Sequence, residues 1–359
     1  MTFDHIAPYD NAHKPRLYRL FEMIPGAAIW GTLLLAVVLS FTAPHFAMVL
    51  VVIFDLYWLV RVLYYVYNVV TAWLSLRRSL ATDWPKILEE IPGWRDIWHV
   101  VLLPNSAEPF EIMDATFVSL AATNYHKDRV IVVLAGEERE GSPFLEKAAR
   151  IQERYGALFK DLLITVHPDG VAGEIKGKGA NAAWAGKKIQ AYLDAQHISY
   201  DQVILSYFDI DTCVHANYFA ALSATFLKNP NRLRSSYQPV ALYNNNIWES
   251  SAITRVAAFG TTFWLFTELA RPHRLFTFSS HAMPFRALVD VGFWQKDVVT
   301  DDTRIFLQCL LRYDGDYRVT PLYIPVSMDT AMTGGWFTSL VNLYKQQRRW
   351  AWGVEHLPY

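Results

Sequence analysis

Between Ile24 and Phe41 the chain carries no charged residue and is almost wholly apolar. That length is close to the ~20 residues needed to cross the hydrocarbon core of a bilayer. Pro25 suits a first helical turn. Thr42, Ala43, Pro44 and His45 interrupt the run, and Phe46 to Trp73 is again mostly apolar, with Asp55 and Arg61 as its charges. Two such runs in succession predict a helical hairpin in a membrane. A removable leader is not expected, because a second span follows and no clear cleavage site intervenes. Lys14, Arg16 and Arg19 precede the first run, and Arg77, Arg78 and Lys86 follow the second. The turn between the runs has no Lys or Arg. The bias places both ends in the cytoplasm, so the chain is expected to be multi-pass in an inner (plasma) membrane with its large remainder cytoplasmic. Asp55 at membrane depth is costly unless paired or hydrated. Arg61, six positions on, lies off its face, so either a partner on another helix or an Arg61 that reaches for the boundary is expected. A structural role for Asp55 is favoured over one in passage of a solute.

The whole chain has 359 residues, 52% of them hydrophobic and 15% aromatic, with a formal net charge of −1. That is enough for one large α/β domain besides the membrane elements, and it gives no support for nucleic-acid binding. Cys213 and Cys309 are too few for a disulfide framework or a zinc site; each reads as a small core residue. After Trp98 apolar strands alternate with amphipathic helices. Strands are predicted over His99–Leu103, Arg129–Leu134, Leu162–Val166 and Gln202–Phe208. Helices are predicted over Phe110–Thr123, Ser142–Tyr155, Ala180–Ala195 and Thr303–Arg312. This order implies a mostly parallel, doubly wound sheet with helices on both faces. The expected divisions are an N-terminal segment (1–23), the membrane hairpin (24–76), a linker (77–97), the α/β domain (98–334) and an amphipathic helix at a membrane interface (335–359).

Polar motifs punctuate this apolar background. Asp209 and Asp211 follow the buried run Val203–Phe208. Alternation along an extended chain would turn both carboxylates to one side at a strand's C-terminal end, where open α/β sheets bind ligands. Mg²⁺ and Mn²⁺ favour carboxylate oxygens together with substrate phosphates, although a pair of loop or capping aspartates has the same pattern. Lys176-Gly177-Lys178-Gly179-Ala180-Asn181 opens a helix. Glycines there let backbone approach a phosphate, and the helix start supplies amide donors; a solvated basic loop is the plainer alternative. Thr300, Asp301 and Asp302 open the helix Thr303–Arg312, where an acidic pair caps as readily as it catalyses. Gln346-Gln347-Arg348-Arg349-Trp350 lies on an amphipathic stretch with Trp336, Phe337, Leu340, Leu343 and Tyr344 on an apolar face.

Taken together, Asp209-Ile210-Asp211, Thr300-Asp301-Asp302 and Gln346–Trp350 resemble the D-x-D, T-E-D and Q-x-x-R-W series of membrane-embedded family 2 glycosyltransferases, the group of the cellulose, chitin and hyaluronan synthases. The resemblance covers Trp98 to Trp350. It implies a GT-A-type fold and an inverting, metal-dependent transfer from a nucleoside-diphosphate sugar, expected to be UDP-linked, to a glycan or lipid-linked acceptor. The implied metal is Mg²⁺ or Mn²⁺ at Asp209 and Asp211. Asp302 matches the general base and Asp301 replaces the family's glutamate. Pro104 and Glu108 resemble the nucleotide-binding opening. The second strand departs from the pattern, ending in Ala135-Gly136-Glu137-Glu138, with Glu137 as the substitute donor contact. Lys178 and Asn181 are implied donor contacts, with Lys176 beside them. In Ser279–Trp294, Arg286, Ala287, Leu288 and Gly292 fit the family's acceptor-side segment, and His281 is either an acceptor contact or a structural histidine. By the same resemblance Gln346, Arg349 and Trp350 serve acceptor and diphosphate, with Trp350 as floor. Thr330–Gly335 reads as a turn or as a mobile gating loop.

The polysaccharide synthases continue with further membrane helices, whereas this sequence ends nine residues after Trp350. A truncated chain is the expectation, with partner membrane subunits as another source of the missing part and an enzyme that does not translocate its product as a third reading. The alternative to an enzyme is a catalytically silent homologue that scaffolds an envelope glycan assembly complex.

Overall fold

The computed structural model describes residues 16–330 and 336–351. The chain divides into two compact units, with the boundary between Tyr65 and Val66.

The first unit holds helix α1 (Arg16–Thr42) and most of helix α2 (Pro44–Leu80). Ala43 alone separates them. Pro25 lies inside α1 rather than in its first turn. The preceding segment is rich in Leu, Arg, Glu and Met, all good helix formers, so the helix runs through the proline at the cost of one backbone hydrogen bond. Both helices are long and apolar enough to cross a membrane, and their apolar windows are not buried within the protein. Three hydroxyls of α1 are satisfied internally: Thr32, Ser40 and Thr42 each donate to the carbonyl four residues back, at 2.8–2.9 Å. That is the arrangement a medium without water demands. Arg61 donates to the Tyr65 hydroxyl and lies 4.8 Å from that ring's centre. Asp55 is exposed.

At ~1.5 Å per residue the 37 residues of α2 span about 55 Å. The end of the helix, in the second unit, buries Ala72 and Leu76 in the main core. Residues 77–97, read as a linker, are packed. Helix α3 (Trp84–Glu89) is capped by the Asp83 side chain, which accepts from the Lys86 N–H at 3.3 Å. Leu88 and Trp94 bury themselves against Ala220 and Ala224.

The second unit is built on an eight-stranded sheet. In chain order its strands are β1 (Trp98–Pro104), β2 (Val130–Glu137), β3 (Asp161–His167), β4 (Val203–Tyr207), β5 (Cys213–Val214), β6 (Ser235–Tyr243), β7 (His281–Pro284) and β8 (Arg318–Met328). Their spatial order is β3-β2-β1-β4-β7-β6-β8-β5. β3, β2, β1 and β4 are mutually parallel; β7 is antiparallel to both neighbours; β6 and β8 are parallel; β5 runs antiparallel to β8. The sheet is therefore mixed, and its parallel half is the one predicted from alternation. The helices are α4 (Phe110–Ala121), α5 (Ser142–Tyr155), α6 (Lys178–Ala195), α7 (Tyr218–Lys228), α8 (Ala252–Leu269), α9 (Phe285–Asp290), α10 (Asp301–Arg312) and α11 (Trp336–Ala351).

The pleat divides the core in two. Val101 and Leu103 of β1 face α4, α5 and α7, whereas Val100 and Leu102 face α6, α9 and α10. All four are fully buried. Each such side chain is worth ~1.5–3 kcal/mol relative to exposure. A strand covered on both faces reads as a continuous apolar run, which is why β1, β2 and β4 were legible. Pairing of Leu102 with Tyr207 and of Pro104 with Ala135 brings the C-terminal ends of β4, β1 and β2 to one edge.

Candidate active site

β4 stops at Tyr207. Phe208 still donates to the Leu102 carbonyl at 3.0 Å, and Thr212 then closes a turn onto the Asp209 carbonyl at 3.0 Å. Asp209 and Asp211 thus stand in a turn, not on the extended chain that alternation assumed. Their carboxylates have different partners. Asp209 Oδ1 lies 2.7 Å from Lys178 Nζ, and Ser279 donates to its other oxygen. Burial pushes the Asp209 carboxyl up, but the Lys178 ammonium and these hydrogen bonds outweigh it, and the group lies below its ordinary value. Asp211 Oδ2 accepts the Asp329 N–H at 3.0 Å. Burial first, and the charge of Asp209 second, raise Asp211 to about 7.

Asp301 is the first residue of α10. It is 6% exposed and accepts a hydrogen bond from the buried Tyr207 hydroxyl. Burial, with Asp302 beside it, pushes Asp301 to about 6. The Asp302 carboxylate is 25% exposed and lies 3.5 Å from Lys178 Nζ. Its backbone carbonyl accepts the Thr277 hydroxyl at 2.6 Å. A helix start tends to lower a carboxylate's pKa; here burial, assisted by Asp209, raises Asp302 in spite of Lys178.

Lys178 is the hub. Its ammonium touches Asp209 and Asp302, which stand at the ends of different elements, and sits 3.9 Å from the centre of the Tyr207 ring. Burial works to discharge it, but the three carboxylates Asp209, Asp302 and Asp301 hold it charged, above its ordinary value.

Gly179 explains how α6 comes so close. A Cβ there would lie 3.1 Å from the Gln295 carbonyl oxygen and 3.2 Å from Asp301 Cβ. This glycine admits protein, not phosphate, while Gly177 has open space around it. Asn181 is 1% exposed and donates to the Ala135 carbonyl at 2.9 Å, tying α6 to the end of β2. Lys176 pairs with exposed Asp169 at 2.8 Å, away from Lys178.

His281 pairs with Tyr207 across β7 and β4. It has no exposed surface, so the ring presents nothing to an acceptor in this structure. Its Nδ1 is 2.9 Å from the Phe278 carbonyl and 3.7 Å from Asp302 Oδ1. Burial lowers it to about 4, and it is neutral. Arg286 is likewise engaged elsewhere, paired with Asp201 at 2.7 Å.

Near the end of β2, Glu137 is 7% exposed and gripped by Arg139 through two contacts of 2.8 and 2.5 Å. Glu108 accepts the Ser106 N–H at 2.6 Å. Burial raises its pKa, with Glu140 and Asp209 adding to the rise. Glu140 was not singled out from sequence. Asn105 donates to both its oxygens at 3.1 and 3.0 Å, and Lys147 lies 3.6 Å away. The acidic run Glu137–Glu140 was the available signal, but nothing in it distinguishes the inward member. Tyr207, Thr277 and Ser279 were missed for a similar reason: hydroxyls carry no motif, and only strand pairing brings them in.

α11 packs on α8. Gln346 and Trp350 line a cleft with Tyr243, Thr254 and Asp329. Trp350 is 37% exposed. The Arg349 charge reaches both Asp209 and Asp302, lowering each. The gating-loop reading falls largely outside the described residues, save Thr330. That residue is fastened to Asn246, whose Oδ1 accepts its N–H and its hydroxyl, each at 2.7 Å.

Among the described residues no three His, Cys, Asp or Glu side chains form a metal-holding group. The Oδ1 of Asp211 is nevertheless buried without a hydrogen-bond partner. A buried carboxylate oxygen left so is costly, and it fits a divalent cation whose remaining ligands are substrate phosphates and water.

Several solved structures are similar at low identity. They include the mannosyltransferase PcManGT from Pyrobaculum calidifontis in complex with GDP-Man and Mn²⁺ (15% identity, TM-score 0.45, 75% of this chain and 67% of that one). S. aureus TarS 1-349 in complex with UDP-GlcNAc is another (12%, 0.43, 66% and 60%), as is GalNAc-T7 with UDP, GalNAc and Mn²⁺ (11%, 0.40, 66% and 44%). The chain thus spans less than two thirds of the latter two. No curated protein sequence matches it. Residues 204–358 match the family described as Glycosyl transferase family group 2. That stretch contains Asp209, Asp211, Asp301, Asp302, Gln346, Arg349 and Trp350, and the match supports a glycosyltransferase of family 2.

Proposed function

We propose that this protein is an inverting membrane glycosyltransferase that moves a sugar from a nucleoside-diphosphate donor, UDP-linked by the family resemblance, to a glycan or lipid-linked acceptor. The observation that carries the reading is the convergence of Asp209, Lys178 and Asp302 within 2.7–3.5 Å. Lys178 and Asp302 are 124 positions apart in sequence. Such a cluster of partly buried charges is costly as a structural device and is common where chemistry is done.

In this reading Asp302 takes the proton of the acceptor hydroxyl as that oxygen attacks the anomeric carbon. Its partial exposure lets an acceptor reach it, and its raised pKa makes it a stronger base than a free carboxylate. Asp301, held by Tyr207, positions the start of α10. Lys178 and Arg349 offset charge on the departing diphosphate. Trp350 offers a face for a sugar, and Gln346 lines the same cleft. Asp211, with Asp209 near it, would hold Mg²⁺ or Mn²⁺, which supplies charge neutralisation to the diphosphate when bound. Glu108, Glu137 and Asn181 shape the donor end of the site. Two helices long and apolar enough to cross a membrane support a membrane-bound enzyme, and the charge bias of the sequence supports a catalytic domain on the cytoplasmic side.

The test is donor hydrolysis and transfer in membranes holding the full chain, over a panel of UDP- and GDP-sugars with Mn²⁺ or Mg²⁺. Turnover of one donor, lost with chelator and lowered at least ~100-fold by Asp302→Asn, is expected. No turnover of any donor by folded, inserted protein would favour the silent scaffold instead.

A further inference from the structure

Helix α8 is apolar nearly all round, the pattern of a helix buried on every side. It is not buried on every side. Thr254, Ala258 and Leu265 are buried, and Thr254, Ala257, Ala258 and Thr261 lie against α11 or the cleft beneath it. The opposite stripe is open. Val256 and Phe259 are each 73% exposed, and Phe263 is also exposed. These positions recur at three- and four-residue spacing, so they form one continuous face. Trp248, 83% exposed, precedes the helix, and exposed Trp264 borders the stripe. Arg255 is exposed beside it. On α11, Tyr344, Lys345 and Arg348 are exposed as well.

An open face of this kind marks a contact with a membrane or another protein. Three features favour the membrane. The same chain carries two helices long and apolar enough to cross a bilayer. Tryptophans flank the stripe, and Trp is the residue most at home at headgroup level. Arg255, next to Val256 in the stripe, is basic, which suits anionic headgroups, while the exposed acidic Glu249 lies before the helix, next to Trp248. We propose that the Val256–Phe259–Phe263 face of α8 is a lipid-contact surface, lying in the plane of the bilayer interface. The proposal rests on the membrane part of the reading above and names the surface involved.

The test uses the full chain in nanodiscs of phosphatidylcholine and phosphatidylglycerol, with benzoylphenylalanine placed singly at Phe259, at Val256, or at Leu145. Leu145 of α5 is 54% exposed and serves as the control. Illumination followed by mass spectrometry is expected to give lipid adducts at 259 and 256 at least about tenfold above 145. A crosslinked dimer at 259 would assign the face to a second copy of the chain and overturn the proposal. Adducts no more frequent than at 145 would overturn it too, because the face would then be in water. The readout does not depend on sugar transfer. Lipid adducts on an inactive protein would sink the enzyme reading alone; turnover without adducts would sink this surface alone.

Discussion

Lys178 is the residue on which the site's electrostatics turn. Without its ammonium, Asp209 and Asp302 face each other across a half-dry site with the Arg349 charge left to offset them. Replacement by Met is expected to lower kcat/KM by ~10²–10³-fold. It also moves the acid limb of the pH–rate profile upward, because Asp302 loses the one neighbour that most lowers its pKa. With Asp302 as the proposed base, that limb in the unaltered protein lies higher than a free aspartate would set it, because burial raises the Asp302 carboxyl. Rate measurements between about pH 5 and 8 on both proteins check the two statements. At this scale the sequence marked Asp209, Asp211, Lys178, Asp301 and Asp302, because charged residues in short motifs are visible. It did not mark Tyr207, Ser279 or Glu140, whose importance lies wholly in what they touch.

Among the elements, the meeting of α6 with the start of α10 depends on a missing methyl. Gly179→Ala puts a carbon 3.1 Å from a backbone oxygen that has little room to retreat. Alanine's helix propensity offsets up to ~1 kcal/mol, and overpacking costs ~1–3 kcal/mol. The variant is expected to unfold at a lower temperature and to lose activity through displaced Asp301. Gly177→Ala meets nothing within 4 Å and has an extended backbone, so thermal unfolding is expected to be nearly unchanged. The pair separates close packing from chain flexibility as the reason for glycine at the start of α6. The predicted helix Ser142–Tyr155 coincides with α5, and the four early strands appear within a few residues of their predicted positions, because each is a dense apolar run between turn signals. β6, α8 and β8 were not read. Their mixed pairing and α8's two different apolar faces leave no simple periodicity.

For the molecule as a whole, acid sensitivity is decided by opposing buried groups. His99, with no exposed surface, is held neutral by burial, its pKa lowered from 6.5 to about 3. Below pH 6.5 the unfolded chain takes up that proton and the folded one does not. The stability from this group is therefore present above about pH 6.5 and is lost as pH falls toward 3. Asp211 and Asp301, with raised values of about 7 and about 6, act oppositely: the folded state holds their protons first, so acidification in that window stabilises. His99→Leu removes only the first contribution. The variant is expected to lose less unfolding temperature than the unaltered protein between pH 7.5 and 5, a difference on the order of a few kcal/mol or less. Equal losses would mean that His99 is accessible to protons in the folded state.

By itself the sequence determined that the chain has two apolar helices of membrane-spanning length and an α/β domain with a parallel half-sheet. It also determined which short motifs hold the charges. Those properties follow from composition and periodicity, which are local. Tertiary structure alone decided that one lysine bridges Asp209 and Asp302, that His281 is sealed beneath the site, and that Asp211 keeps an unpartnered oxygen. It also decided that α8 turns an apolar face outward. Strand pairing sets these outcomes by bringing together residues distant in the chain, and burial then sets the charge each one carries.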